Sequence, residues 1–400
     1  MNGVFRPPRF LGWHFERGNG HTYRMTTALA LGRARSDIDV VSRAGLPLHH
    51  FMDEATEAIQ RAVPFDAGCL STLDPATALV SSSRKVGALT GSNDGDITWA
   101  KIEYGSEDPT TFTRILLAGK VAIGVHDTLD GDLDQSVRMA EFMVPLFDFL
   151  DEARAVFADK AGAWGAISLF RGADDAPFSQ TELDFLTEIA PAVTRGIRAG
   201  LLAHVSRVQP ADDPGPAVMI VDASDRLVQT SPGATTQLAR MADVPNTGDP
   251  LTIVQALVTG ARRFARGEID RMPRIRVRTS DGVWLVLHAS PLGGSGDRAG
   301  DVVVTIEEAR PQEVIGLVAD AFGLTGRERD VVGMVLRGSD TKEIAAAMHV
   351  SPYTVQDHLK SVFDKAGVSS RRELVSRAYF DQYVPRWGGD VGANGWYAAT

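Results

Sequence analysis

Apolar and polar positions alternate along this chain of 400 residues in three different rhythms. Over 47–62, PLHHFMDEATEAIQRA, the side chains of Phe51, Ala55, Ala58 and Ile59 recur at helical spacing and predict a helix. Residues 67–73 read as a strand closed by the turn signal Asp74-Pro75. From 84 to 150 the rhythm breaks and no element is assigned. Residues 151–159 and 163–170 are two strand-like runs joined across Lys160-Ala161-Gly162, a hairpin pattern. Ser179 and Glu182 have capping-box spacing and open a long helix to about Val208, with Pro191 a kink point.

Residues 209–216, QPADDPGP, read as a linker, and a second α+β unit follows. Its strands fall at 218–222 and 226–230, at 274–279, at 283–292 after the turn Asp281-Gly282, and at 301–309. The run RIRVRT at 274–279 alternates charged and apolar residues, so one face is expected in water. No internal repeat is visible.

The last rhythm is helical and dense in caps. Thr325 with Glu328, Asp340 with Glu343 and Ser370 with Glu373 each have capping-box spacing. Gly338 and Gly367 stand where glycine ends helices, and Ser351-Pro352 is an N-cap followed by proline at the first helical position. Four helices follow, at about 326–337, 341–348, 352–366 and 370–380. Only His349, Val350 and Ser351 separate the second from the third, the short connection of a helix-turn-helix. Apolar positions give each helix one buried stripe, among them Val331, Val335, Ile344, Val355, Leu359, Val362 and Leu374. The third helix then turns Tyr353, Gln356, Asp357 and Lys360 outward, where Gln, Asp and Lys can read base edges in a major groove. Ser351 and Thr354 at its N-terminus suit phosphate oxygens.

Charge sharpens this reading. The chain carries a net charge of -10, yet residues 321–380 hold nine basic and seven acidic side chains, a net of +2. A DNA footprint must therefore be local. One cysteine, Cys69, excludes an internal disulfide framework and fits a reducing cytosol. No run approaches the ~20 apolar residues of a bilayer span, so no membrane partner is expected. The first 24 residues lack a signal-peptide pattern and read, with the segment to 44, as a flexible extension.

Several patterns carry little chemistry. Asp130, Asp132, Asp134 and Glu141 imitate a calcium loop but have Gln135 at the position that requires glycine. His49-His50 lacks partner ligands at metal spacing. The GGSG at 293–296 lies between strands and is no phosphate cradle. Cys69 reads as a small core residue, and Trp164 and Trp284 as core or pocket-wall aromatics. No Ser/His/Asp set, P-loop or metal cluster appears, so the chain is read as no enzyme.

The C-terminal residues resemble the LuxR-type (NarL/FixJ-like) helix-turn-helix. The match runs through Leu324-Thr325-x-Arg327-Glu328, Gly338, Lys342-Glu343-Ile344-Ala345, Val350-Ser351, Thr354-Val355, His358, Lys365, Gly367-Val368-Ser369-Ser370-Arg371 and Glu373-Leu374-Val375. The resemblance implies that the third helix is the recognition helix, with Gln356, Asp357 and Lys360 base-facing and Lys342 at a phosphate. It also implies dimerisation along the fourth helix through Leu374, Ala378 and Tyr379. Gln356-Asp357 departs from the family, which often has a basic residue there. Sigma-factor region 4, or a helical module that binds a protein partner, is the alternative.

Upstream, Val63-Pro64-Phe65-Asp66, Leu73-Asp74-Pro75-Ala76-Thr77, Trp164-Gly165-Ala166 and Phe178-Ser179-x-x-Glu182 resemble a GAF domain. Val221-Asp222-x-x-x-Arg226-Leu227 and the late strands resemble a PAS-like sensor. No phospho-acceptor receiver pattern is present. The expected layout is a flexible extension over 1–44, a GAF-like sensor over 45–208 and a PAS-like sensor over 216–309, both α+β. An all-α LuxR-type domain over 318–384 and a flexible tail over 385–400 complete it. The implied protein is a cytoplasmic homodimeric transcription regulator on a palindromic operator in double-stranded DNA, with RNA polymerase as a further partner. No cofactor is identified. The sensors are expected to answer either an unknown small-molecule effector or a protein partner alone.

Overall fold

The computed structural model describes residues 27–203, 215–242, 247–294 and 296–377. The first unit runs α1 (Ala28–Arg43), α2 (Leu48–Ala62), β1 (Ala67–Leu73), β2 (Val80–Gly87), α3 (Asp96–Gly105) and α4 (Phe112–Leu117). It continues through β3 (Ala122–Gly124), α5 (Val125–Thr128), α6 (Val144–Phe147), β4 (Asp151–Asp159), β5 (Gly162–Arg171) and α7 (Gln180–Leu201). Its strands form one antiparallel sheet in the order β2-β1-β5-β4-β3. α1, α2 and α7 pack together against one face, and α3 to α6 lie towards the other.

A flexible extension over 1–44 does not hold for residues 28–43. Leu31, Ala34 and Ile38 recur at helical spacing and are buried, so α1 joins the core. Polar contacts add to the packing: Arg195 of α7 donates to Asp39 and to the Ser42 hydroxyl of α1. The unassigned stretch 84–150 turns out to hold four short α-helices, a 3-10 turn (Leu133–Gln135), a π-helical turn (Met139–Met143) and a three-residue strand, so no single period runs through it. Pro191 lies inside α7, and that helix ends at Leu201 rather than near 208.

The second unit is β6 (Ala217–Val221), β7 (Leu227–Thr230), α8 (Pro232–Met241), α9 (Leu251–Ala265), β8 (Arg274–Arg278), β9 (Trp284–Pro291) and β10 (Val302–Glu308). Its sheet order, β7-β6-β10-β9-β8, repeats that of the first unit strand for strand. Both units are thus α+β domains of the kind the GAF and PAS resemblances imply. Ile275, Val277, Leu285, Leu287, Val302 and Val304 make one sheet face apolar, and α9 covers it with Val254, Leu257, Val258 and Ala261.

Of the alternating charges of β8, Arg274 is exposed as expected, but Arg276 and Arg278 are not on a wet face. Arg276 is buried and grips Asp74 of the first unit in two bonds, at 2.8 and 2.6 Å. Arg278 donates to the backbone carbonyl of Leu201, and burial lowers its guanidinium to a pKa of about 10. At Arg276 and Arg278 the face expected in water is therefore the seam between the two domains. Period-2 charge alternation cannot tell water from a partner carboxylate.

α10 (Pro311–Ala321) leads from the second sheet to the C-terminal helices and touches α7. Arg198 of α7 donates twice to the carbonyl of Ala321, at 2.8 and 2.6 Å. No helix among the described residues is long and apolar enough to cross a membrane.

Candidate nucleic-acid interface

The C-terminal unit is α11 (Gly326–Leu336), α12 (Thr341–Met348), α13 (Pro352–Ala366) and α14 (Arg371–Val375). Its boundaries follow from local chemistry. Thr325 and Glu328 close a reciprocal capping box on α11, and Asp340 and Glu343 do so on α12. At α14 only half of the expected box forms. Ser370 accepts from the Glu373 amide, while the Glu373 carboxylate turns to the amide and hydroxyl of Ser369. α12 stops at His349, whose φ of 55° is left-handed, and the chain re-enters a helix three residues later, at Pro352. Ser351 caps α13 by accepting from the Thr354 amide at 3.1 Å.

Val355, Leu359, Val362 and Ala366 bury one side of α13 against α11 and α12. The opposite side carries Tyr353, Gln356, Asp357 and Lys360, three, four and seven residues apart and all exposed. Tyr353 is 72% exposed, unusual for an aromatic side chain. Lys342, on the first turn of α12, is exposed as well. Among the described residues no ion pair engages Lys342, Asp357 or Lys360, so their charge is available to a partner. The hydroxyls of Ser351 and Thr354 are 2.9 Å apart, in hydrogen-bond contact. Six of the seven residues expected at DNA thus lie exposed, with Thr354 half-buried.

Of the residues expected at a dimer contact, only Leu374 lies among the described residues. Leu374 is fully buried against the domain core, where α14 meets α11 and α13. Ala378 and Tyr379 lie outside the described residues.

One positioning group went unrecognised in the sequence beyond its cap. The Glu328 carboxylate also accepts from the Lys365 ammonium, at 2.7 and 2.6 Å, and from the Ser361 hydroxyl, at 2.7 Å. Both partners sit on α13, so one carboxylate ties the groove-facing helix to α11. Burial raises this carboxyl, but the Lys365 ammonium, the Thr325 amide and the Ser361 hydroxyl outweigh it and hold it at about 2. Arg371 of α14 likewise holds the carbonyl of Ser339.

Comparison with known proteins agrees with this geometry. The model of the family described as bacterial regulatory proteins, luxR family, matches residues 323–378. The monoamine regulon transcriptional regulator of Klebsiella aerogenes is 46% identical over 56 residues, 14% of this chain and 25% of that protein. A putative HTH-type transcriptional regulator of Mycobacterium bovis is 51% identical over 55 residues, 14% of this chain and 6% of that one. The chain therefore spans a quarter or less of these two relatives. Among solved structures, the GAF domain of an Acinetobacter phosphoenolpyruvate-protein phosphotransferase is 11% identical, covers 43% of this chain and 93% of its own, and has a TM-score of 0.28. That likeness is slight, and the α+β assignment rests on the strand order given above. The four C-terminal helices of this chain form a LuxR-family helix-turn-helix domain, carried behind two α+β domains.

Proposed function

We propose that the chain is a DNA-binding transcription regulator whose two α+β domains control how the helix-turn-helix meets its operator. One observation carries this reading: in a LuxR-family domain, the face of α13 bearing Gln356, Asp357 and Lys360 is uncovered and its charges are unpaired. A helix of this width fits a major groove, with Gln356 and Lys360 at base edges and Asp357 accepting from a cytosine amino group. Lys342, Ser351 and Thr354 flank it at phosphates, and Tyr353 lies beside the sugar-phosphate wall.

The working form is a homodimer on a palindromic site, since one small helical unit on one half-site binds weakly and two gain effective concentration. Leu374 supports the fourth helix from within, which leaves the dimer contact to Ala378 and Tyr379. The regulator acts in the cytoplasm, without catalysis of its own, and RNA polymerase is its onward partner.

Selection of bound fragments from genomic DNA, followed by titration at several salt concentrations, tests the reading. A selected palindrome bound with a steep salt dependence is the expected result. Lys360→Ala should weaken that site about 5- to 100-fold, the equivalent of roughly 1–3 kcal/mol. Binding that ignores both sequence and Lys360 would reject the assignment.

A further inference from the structure

A cavity open to solvent lies on the α3–α6 side of the first sheet. Its floor is the inward-facing positions of three neighbouring strands: Cys69 and Ser71 of β1, Ser83 and Lys85 of β2, Ser168 of β5. Its walls are aromatic: Trp99, Phe112, Phe142, Phe147 and Phe170. The Arg154 guanidinium backs Phe112 at 3.8 Å and fixes that ring from behind. The remaining wall comes from the second domain, through Asp249, Thr252 and Ile253. The backbone of that segment reaches across the seam, where the Asp249 amide donates to Asp96 at 3.0 Å.

Two details define what fits. First, the one cation of the lining is already used up. Lys85 is the cation of the floor, and its ammonium donates to Asp96 at 2.6 Å, to Asn93 at 3.0 Å and to the carbonyl of Ser92. All three of its protons are committed. The other oxygen of Asp96 is taken by the Asp249 amide. An anion entering here meets no free cation. Second, a hydroxyl is left over. Thr252 is 7% exposed and its Oγ1 has no hydrogen-bond partner. A buried hydroxyl without a partner is costly, and native structures seldom keep one without a use. The hydroxyl of Ser168 on the floor also makes no hydrogen bond among the described residues.

We propose that this cavity binds a small neutral aromatic molecule bearing a hydroxyl or carbonyl group, which Thr252 of the second domain completes by hydrogen bonding. The aromatic walls take the ring by edge and face contacts. The spent Lys85 ammonium selects against an anion. Because Thr252 belongs to the second domain, the ligand contacts both domains and tightens the seam between them. The inference rests on the regulator reading only for what that tightening controls.

The test uses the full chain and two probes, 2-naphthol and the 2-naphthoate anion, followed by titration calorimetry. 2-Naphthol is expected to bind saturably at one site per chain, and 2-naphthoate at least tenfold more weakly. Thr252→Val keeps the shape and removes the hydroxyl. It should weaken 2-naphthol roughly five- to tenfold, yet leave the melting temperature of the free protein unchanged or raised, because an unpartnered group is gone. A merely structural threonine would lower that melting temperature instead. Absence of saturable heat, equal uptake of the anion, unchanged affinity in Thr252→Val or a lowered melting temperature would each overturn the site. Operator binding with no uptake of 2-naphthol sinks this site alone. Uptake of 2-naphthol without sequence-selective DNA binding sinks the regulator reading alone.

Discussion

The two α+β domains share one strand order, but their equivalent strands present different chemistry to the helical side. The strand β1, one in from the edge, offers Cys69 and Ser71 to its cavity, whereas its counterpart β6 offers Met219 and Val221 to a packed core. The neighbouring β5 offers Ser168, whereas β10 offers Val302 and Val304. In the second domain α9 lies flat on an apolar face and fills it. In the first, a polar floor gives no apolar surface for a helix to bury, and the space above it stays open. The same backbone plan thus yields a strut and a receptacle, and the choice is made by side chains at alternate strand positions.

The seam between the two is the most sensitive place to break this pair. Arg276→Ala removes the cation from a buried bidentate pair and strands the Asp74 carboxylate. A loss of about 3–5 kcal/mol is expected by denaturant titration. The double variant Asp74→Ala, Arg276→Ala should lose clearly less than the sum of the two single changes, which a double-mutant cycle measures.

Filled and open faces should also respond differently to truncation. Leu287→Ala, beneath α9, is expected to cost about 2–5 kcal/mol through lost transfer energy and a new cavity. Ser168→Ala, on the open floor, should cost under ~1 kcal/mol, since the hydroxyl it removes makes no bond. Equal losses at the two positions would erase the distinction drawn between the domains.

Acid separates both of them from the helix-turn-helix. The Glu328 carboxyl is held at about 2 in the folded domain against an ordinary 4.5. The stabilisation is complete above roughly pH 4.5 and is lost as pH falls from there towards 2. Integrated over that interval it amounts to about 3 kcal/mol. Glu328→Gln should therefore melt earlier at pH 7 and show a flatter pH dependence below 5, as followed by circular dichroism.

The smallest effect concerns Cys69 in the open floor. Burial pushes its thiol above the ordinary value, so little thiolate is present at neutral pH. Alkylation by iodoacetamide at pH 8, followed by mass spectrometry, should run about tenfold slower than in the unfolded chain. Cys69→Ala should shift stability by less than about 0.5 kcal/mol.

Much of this was open to inspection in the linear chain. The helix-turn-helix is specified almost residue by residue, because caps, terminating glycines and helical stripes act over three or four positions. The hairpin of β4 and β5 and the strands of the second sheet were legible for the same reason, and so was the exposed face of α13. The second bond of Glu328 was not, since Lys365 lies 37 residues away and a cap already explained the glutamate.

What only the tertiary structure decided is everything that joins distant strands. The sequence by itself determined that Arg276 and Arg278 alternate with apolar residues, but not that Asp74, 202 residues earlier, waits across the seam. It determined that Ser71 and Ser168 lie in strands, but not that a further strand carries Ser83 and that the order β2-β1-β5 sets all three on one floor beneath a ring of phenylalanines. Periodicity tells which side of a strand a residue occupies. Whether that side meets water, a helix, a partner domain or an empty space depends on long-range packing, whose free energy is shared by elements no local pattern connects.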